Sequence, residues 1–292
     1  MKKFKEYLEN EMMFTPNTAK SYSKQLKGFL LWQKSKGIRN RRVVYADVIE
    51  YLDCLKSRNL SHSAITGILK SMSHYFNFKG YKKNPVQNVK IKGREKKVLK
   101  NLRTQSEIDN IYLCYKELER KSGSVHARNL VVLGLVCYQG LKTNEIGLIE
   151  VEMVDFKKQT IEIPATIRTN KRILRLQVEQ LLDLYQYVSE YRQEFIGKLG
   201  LKESRFLLVG NQRESDLGTI LRQIPIELKK TRCRFVHFVN IRSSVIVNWL
   251  KTNSLRKVQY MAGHRCVSST EKYREADISK LKNVVMKKHP MG

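Results

Sequence analysis

Long hydrophobic runs are missing from this chain of 292 residues. Its 41% of apolar residues is dispersed, no stretch approaches the roughly 18 needed to cross a bilayer, and no apolar segment follows the opening Met-Lys-Lys as it would in a secretory signal. A membrane protein and an exported one are therefore not expected, and the expected compartment is the cytoplasm. Cysteines are few and scattered: Cys54, Cys114, Cys137, Cys233 and Cys266 never form the close pairs of zinc sites and redox motifs. No structural metal is implied, and the five read as reduced core or surface thiols. Internal repeats and low-complexity tracts are absent as well, which excludes solenoids and biased, disordered compositions.

Acidic residues are the other shortage. There are 27 Asp and Glu against 56 Lys and Arg, a net charge of +29, with a pI near 10.0. Solubility does not require this much positive charge, so a polyanionic partner is the first expectation. The charge is not a tail: residues 1–100 hold 23 basic and 7 acidic residues, for +16, and the remainder carries +13. Two basic halves are suited to closing around a duplex, with binding that weakens steeply as salt rises.

The first 88 residues pattern as helices. Phe4, Leu8, Met12 and Met13 lie at helical spacing before the turn Thr15-Pro16-Asn17-Thr18. Tyr22, Leu26, Phe29, Leu30 and Trp32 share one face of a second helix that stops at Gly37. Val48, Tyr51, Leu52 and Leu55 mark a third. Ser61 caps a fourth, which carries Ile65, Ile68, Leu69, Met72, Tyr75 and Phe76 and is stopped by Gly80 and Asn84-Pro85. Residues 89–100 are Lys-rich and without period, a basic linker. In residues 101–292, Thr104 and Glu107 stand at capping-box spacing, and residues 125–139 are apolar enough for a central helix. Val154-Asp155-Phe156, Thr160 to Ile163 and Arg172 to Leu176 alternate as short strands. Helical patterns return near 177–199, 216–229, 240–252 and 254–262. The expected fold is mainly α with one small antiparallel sheet.

One segment is richest in chemistry. Met261-Ala262-Gly263-His264-Arg265 is followed by Ser268-Ser269-Thr270-Glu271-Lys272-Tyr273, placing a Gly-His turn nine residues before a Tyr expected to begin a short helix. Upstream stand Ile241-Arg242-Ser243-Ser244, Gly140-Leu141-Lys142-Thr143-Asn144-Glu145-Ile146, and the hairpin turn Arg168 to Arg172. These boxes, in this order, resemble the tyrosine recombinases, the phage-integrase type of site-specific DNA recombinase. Asn17 to Tyr22, Leu60 to Ile65 and Asn84-Pro85-Val86 are similar to landmarks of that family's core-binding domain. The resemblance covers nearly the whole chain. It implies a SAM-like helical core-binding domain over 1–88 and an α+β catalytic domain over 101–292 with a C-terminal tail helix.

The resemblance also implies roles. Tyr273 matches the nucleophile that attacks a DNA phosphodiester, leaving a 3′-phosphotyrosyl link and a free 5′-hydroxyl; the bond energy is kept, so neither metal, ATP nor any other cofactor is implied. Attack loads negative charge on the nonbridging oxygens, where Arg242 and His264 match the family's cationic or hydrogen-bonding groups. Glu145 matches an acidic residue that orients neighbouring cations. The hairpin turn is where the family carries the general acid for the leaving 5′-oxygen; Lys171 is the choice here and Arg168 the rival, since an Arg stays protonated and serves poorly as an acid.

Two positions depart from the family pattern. Lys142 stands where the family has its first catalytic Arg, keeping the charge but losing the planar fork; Lys142→Arg is expected to preserve or raise cleavage. Val239 stands three residues before Arg242, where a His is common, and His237 could substitute only if the backbone shifts. The expected function is integration, excision or transposition for a mobile element. Its expected partners are duplex DNA, copies of the chain in a tetramer on two DNA sites, and accessory DNA-bending proteins, on the nucleoid. The rival is a catalytically weak or silent relative acting as a DNA-binding accessory protein. An apolar stripe of Ile278, Leu281, Val284 and Val285 is expected to fold back on its own domain or dock on a neighbouring subunit.

Overall fold

The computed structural model describes residues 2–38, 43–91, 99, 101–118, 123–210, 217–231 and 237–274. The chain divides into two compact units, Met1–Lys97 and Val98–Gly292.

In the first unit α1 (Lys2–Asn10) buries Phe4 and Leu8. It ends earlier than the apolar spacing indicates, because Met13 turns the chain at φ +53° and is 81% exposed. Thr15 then caps α2 (Pro16–Ser35), accepting a bond from the Thr18 backbone, with Pro16 at the first turn where its missing N–H costs nothing. Gly37 ends the helix in the left-handed conformation at φ +67°. In front of α3 (Tyr45–Ser57) the Asp47 carboxylate accepts from the Val44 N–H at 2.8 Å. Ser61 caps α4 (His62–Phe78) as its spacing predicts. The core is aromatic: the Phe29 ring meets Tyr51 edge-on at 5.2 Å and Phe76 at 5.8 Å. Each such ring contributes roughly 1.5–3 kcal/mol by leaving water. Asn84 donates to the Ser73 carbonyl and accepts from the Val86 N–H, fixing the exit turn. Val89 and Ile91 pack on this same core; of the expected linker, residues 92–98 and 100 lie outside the described residues.

In the second unit the Thr104–Glu107 capping box opens α5 (Gln105–Lys116). Helix α6 (Gly123–Cys137) is buried on nearly every side from Arg128 onward, which is why its sequence shows apolar density rather than a stripe. A short α7 (Thr143–Ile146) follows. Strands β1 (Val154–Asp155), β2 (Thr160–Ile163) and β3 (Arg172–Arg175) form one antiparallel sheet in that order. Its register pairs Ile161 with Leu174 and Ile163 with Arg172. Helix α8 (Val178–Gln186) passes through a π turn, Tyr187–Tyr191, into α9 (Arg192–Lys198). Then come α10 (Gly218–Leu228), α11 (Phe238–Thr252), α12 (Leu255–Ala262) and α13 (residues 268–274).

Two further expectations change. Tyr273 lies within α13 rather than at its start. Cys54, Cys137 and Cys266 are free thiols, whereas Cys114 is disulfide-bonded, so the five are not uniformly reduced; proximity in the fold is invisible in their scattered spacing. The stripe from Ile278 to Val285 lies outside the described residues. Among the described residues no helix is long and apolar enough to cross a membrane.

Candidate active site

Four segments far apart in sequence converge in the second unit. The first is the turn after α6. There the Lys142 N–H donates to Glu145 Oε2 at 2.8 Å, and the Lys142 carbonyl accepts from the Glu145 N–H at 2.9 Å, so the start of α7 closes on itself. The Glu145 side chain is fully buried. Burial alone would raise its pKa, but the Arg172 guanidinium, the Lys142 N–H and Arg242 outweigh it and hold the carboxyl below its ordinary range.

Arg172, at the start of β3, is the second. Its Nη1 donates to Glu145 Oε1 at 2.8 Å and its Nη2 to Oε2 at 3.2 Å, the paired geometry that suits a guanidinium to a carboxylate. Its Nε donates to the Met261 carbonyl at 2.9 Å. Arg172 therefore joins the α7 turn to the end of α12, with its side chain wholly enclosed.

The third segment is α11, which carries Arg242. This guanidinium donates through Nη1 to the Gly140 carbonyl and through Nη2 to the Ala262 carbonyl at 2.7 Å, with Glu145 Oε2 at 3.7 Å. Burial lowers its pKa, while Glu145 and Tyr273 oppose that shift. Its donors are held by carbonyls rather than by water, so the group has little freedom left to lose.

The fourth is the turn and helix after α12. Gly263 ends α12 at φ +67°, and a Cβ built there would lie 2.5 Å from Arg172 Nη1. Glycine is thus required for the backbone angle and for the packing of the guanidinium against the turn. His264 is bridged to Thr169, and the Asn170 N–H donates to the Gly263 carbonyl at 3.0 Å, tying the β2–β3 connection to this turn. His264 Nδ1 lies 2.9 Å from Thr270 Oγ1, and its Nε2 lies 3.5 Å from Arg242 Nη2. Burial first, then Arg242, Lys142 and Arg172, push its pKa down to about 4, so the ring is neutral at pH 7. The Tyr273 ring stacks on it at 5.8 Å and 14°.

The fold thus gathers Tyr273, His264, Arg242 and Glu145, with Lys142 at the edge of the cluster, half-buried. It does not gather the rest. The Lys171 amine pairs with Glu162 Oε1 at 2.7 Å, its side chain 62% exposed, and Arg168 is exposed. Val239 is 69% exposed. His237 precedes α11 in extended backbone and is exposed. Sequence reasoning missed Arg172 and Thr270. Arg172 was detectable in principle, because it shares the inward phase of β3 with Leu174; a charged residue in that phase marks a buried partner. Among the described residues no group of three or more His, Cys, Asp or Glu side chains is placed to hold a metal ion.

A helical first unit and a mixed second unit that brings a tyrosine and a histidine against a buried arginine define a class. Residues 102–280 match the phage integrase family, and residues 1–83 match the phage integrase N-terminal SAM-like domain. The chain belongs to that family and is a tyrosine recombinase, an enzyme of site-specific recombination. Its relatives include the tyrosine recombinase XerC of Lacticaseibacillus casei, 25% identical over 98% of this chain and 97% of the relative. Tyrosine recombinase XerD of Oceanobacillus iheyensis is 24% identical over 98% and 97%. Solved structures of like fold include XerH recombinase bound to a palindromic difH substrate after cleavage, with TM-score 0.67, 15% identity, and 91% and 78% of the two chains covered. Another is a lambda integrase tetramer bound to a Holliday junction, with TM-score 0.64, 14% identity, and 93% and 75% covered.

Proposed function

We propose that the chain binds duplex DNA and, as the recombinase of a mobile element, cleaves and rejoins it through a 3′-phosphotyrosyl intermediate, working as a multimer on paired sites. The observation that carries this reading is the stacking of Tyr273 on His264 beside Arg242. In that arrangement the Tyr273 hydroxyl attacks the scissile phosphorus. Arg242, fixed by two carbonyls, and the neutral His264 ring, held at Nδ1 by Thr270, offer donors where the nonbridging oxygens gain charge. Glu145 and Arg172 touch no reacting atom; they hold the α7 turn and the Met261–Gly263 segment in place. The net charge of +29 supplies the sequence-independent attraction for phosphates. The difH substrate bound by XerH and the Holliday junction bound by lambda integrase support the choice of partner, and the lambda tetramer supports assembly as a multimer. The mobile-element setting rests on the two departures, Lys142 and Val239, which fit an element-specific branch.

The same departures favour a second reading, a DNA-binding accessory protein without cleavage. Covalent trapping on nicked duplexes from the ends of the encoding element separates the two. A DNA adduct formed by the native chain and lost in Tyr273→Phe is the expected result. Firm binding with no adduct on any end would overturn the enzymatic reading of Tyr273 in favour of the accessory one.

A further inference from the structure

We infer that Lys142 is the proton donor to the departing 5′-oxygen, the task that the hairpin lysine performs in relatives. The inference rests on the cleavage reading above and on three placements.

First, the hairpin lysine is occupied elsewhere. Lys171 Nζ sits 2.7 Å from Glu162 Oε1 on the strand preceding the turn, largely exposed. Arg168, the other cation of that turn, carries a guanidinium, which keeps its proton.

Second, Lys142 is anchored within the cluster. Its N–H and carbonyl are both bonded to Glu145, and the carbonyl of Gly140, two residues earlier, is held by Arg242. Its Cα is thereby fixed beside the residue proposed to bind the scissile phosphate. The side chain is half-buried, so part of it remains open to a substrate.

Third, the guanidinium that pairs with Glu145 is supplied by another residue. Arg172 reaches Glu145 with two nitrogens and the Met261 carbonyl with the third. With a guanidinium already holding the carboxylate, the residue after Leu141 is released to carry an amine. Its surroundings suit an acid: burial, then Arg242, and further Arg172 and Arg168, push the Lys142 pKa below the ordinary lysine range, with Glu145 opposing. An acid is more effective as its pKa nears the working pH.

The step balances as follows. The bond from Tyr273 Oη to phosphorus forms as the P–O5′ bond breaks. The phenolic proton passes to water, and one Lys142 ammonium proton passes to O5′, leaving a free 5′-hydroxyl and a neutral amine. Rejoining reverses each transfer.

A duplex in which the scissile 5′-oxygen is replaced by sulfur provides the test, because a thiolate leaves without a proton while the phosphate oxygens still require cations. Single-turnover cleavage of nicked oxygen and sulfur duplexes is measured for the full-length native chain, Lys142→Ala, Lys142→Arg, Lys171→Ala and Arg168→Ala, with duplex binding as the check on folding. On oxygen, both Lys142 variants are expected to lose about 10²–10⁴-fold; on sulfur both return to within about tenfold of native. This reverses the sequence-based expectation for Lys142→Arg, since a guanidinium restores charge and not a transferable proton. Equal losses on both duplexes would make Lys142 a charge only and overturn the inference, as would sulfur rescue of Lys171→Ala or Arg168→Ala instead. If the native chain binds and cleaves neither duplex, the cleavage reading itself falls, and the inference with it.

Discussion

The two units bury different kinds of matter. The first closes over rings: Phe4, Phe29, Tyr51, Tyr75 and Phe76 are nearly or fully enclosed and meet one another edge-on or tilted. The second also has an apolar core, but it encloses Arg128, Glu145, Arg172 and Arg242 as well. The hydrophobic part of that burial has no required angle, although the rings keep their edge-to-face preference. A buried ion pair requires one, because charge taken out of water must be met by a partner at the right angle and distance. The first unit therefore shows what holds a fold, and the second shows what holds side chains in one place at some expense to stability.

Truncation in each core gives the largest effects. Phe76→Ala is expected to cost about 3–5 kcal/mol in the first unit, and Arg172→Ala a similar about 3–5 kcal/mol in the second, because the buried Glu145 loses its two-nitrogen partner and keeps only the Lys142 N–H and the more distant Arg242. Calorimetry should assign each loss to its own unit. The comparison sharpens with a double replacement: Glu145→Leu with Arg172→Met should recover most of the stability lost in Arg172→Ala, yet not the covalent adduct. Recovery of both would mean that the pair positions nothing.

Acid should distinguish the units next. His264, with a folded pKa of about 4 against an ordinary 6.5, binds its proton more readily when unfolded. Its contribution is therefore complete above about pH 6.5 and is lost as pH falls toward 4. Glu145, depressed in the fold, adds a loss of the same sign as pH falls further. The first unit has one histidine of this kind, His74, lowered by burial and Lys70. Melting between pH 7 and 4 should show the second unit losing more, with His264→Gln reducing that loss; an unchanged slope in the variant would assign it elsewhere.

The smallest effect belongs to the exposed pair. Lys171→Ala removes an ion pair with Glu162 in which one side chain is 62% exposed, and the expected change in stability is about 0–1 kcal/mol and fades with salt. A loss as large as that of Arg172→Ala would show the hairpin pair to be structural in its own right.

Much of the architecture was legible because local chemistry dictated it. Thr15, Ser61 and Thr104 announce helix starts, Gly37 a helix end, and the alternation in Thr160–Ile163 a strand, since each satisfies backbone groups or a face within a few residues. Met12 and Met13 misled, because apolar spacing cannot register a turn that interrupts it. At the site, Tyr273, His264 and Arg242 stood out through a resemblance, and the fold brings them together. The work of Arg172 was hidden for a physical reason: its partners lie 27 and 89 residues away in the chain, and no window of sequence holds both. The hairpin was legible as a turn, whereas the direction of the Lys171 side chain was decided by Glu162 on the neighbouring strand.

Those separations bear on how the protein comes into being. Arg242 reaches Gly140 across 102 residues, and contacts this remote form late, after the helices and hairpin that close over short loops. A chain in which these remote contacts have not formed keeps Tyr273 close in sequence to His264 but lacks Arg242 beside them. The gathering of Tyr273, His264 and Arg242 is thus a property of the finished fold and of no single segment of it.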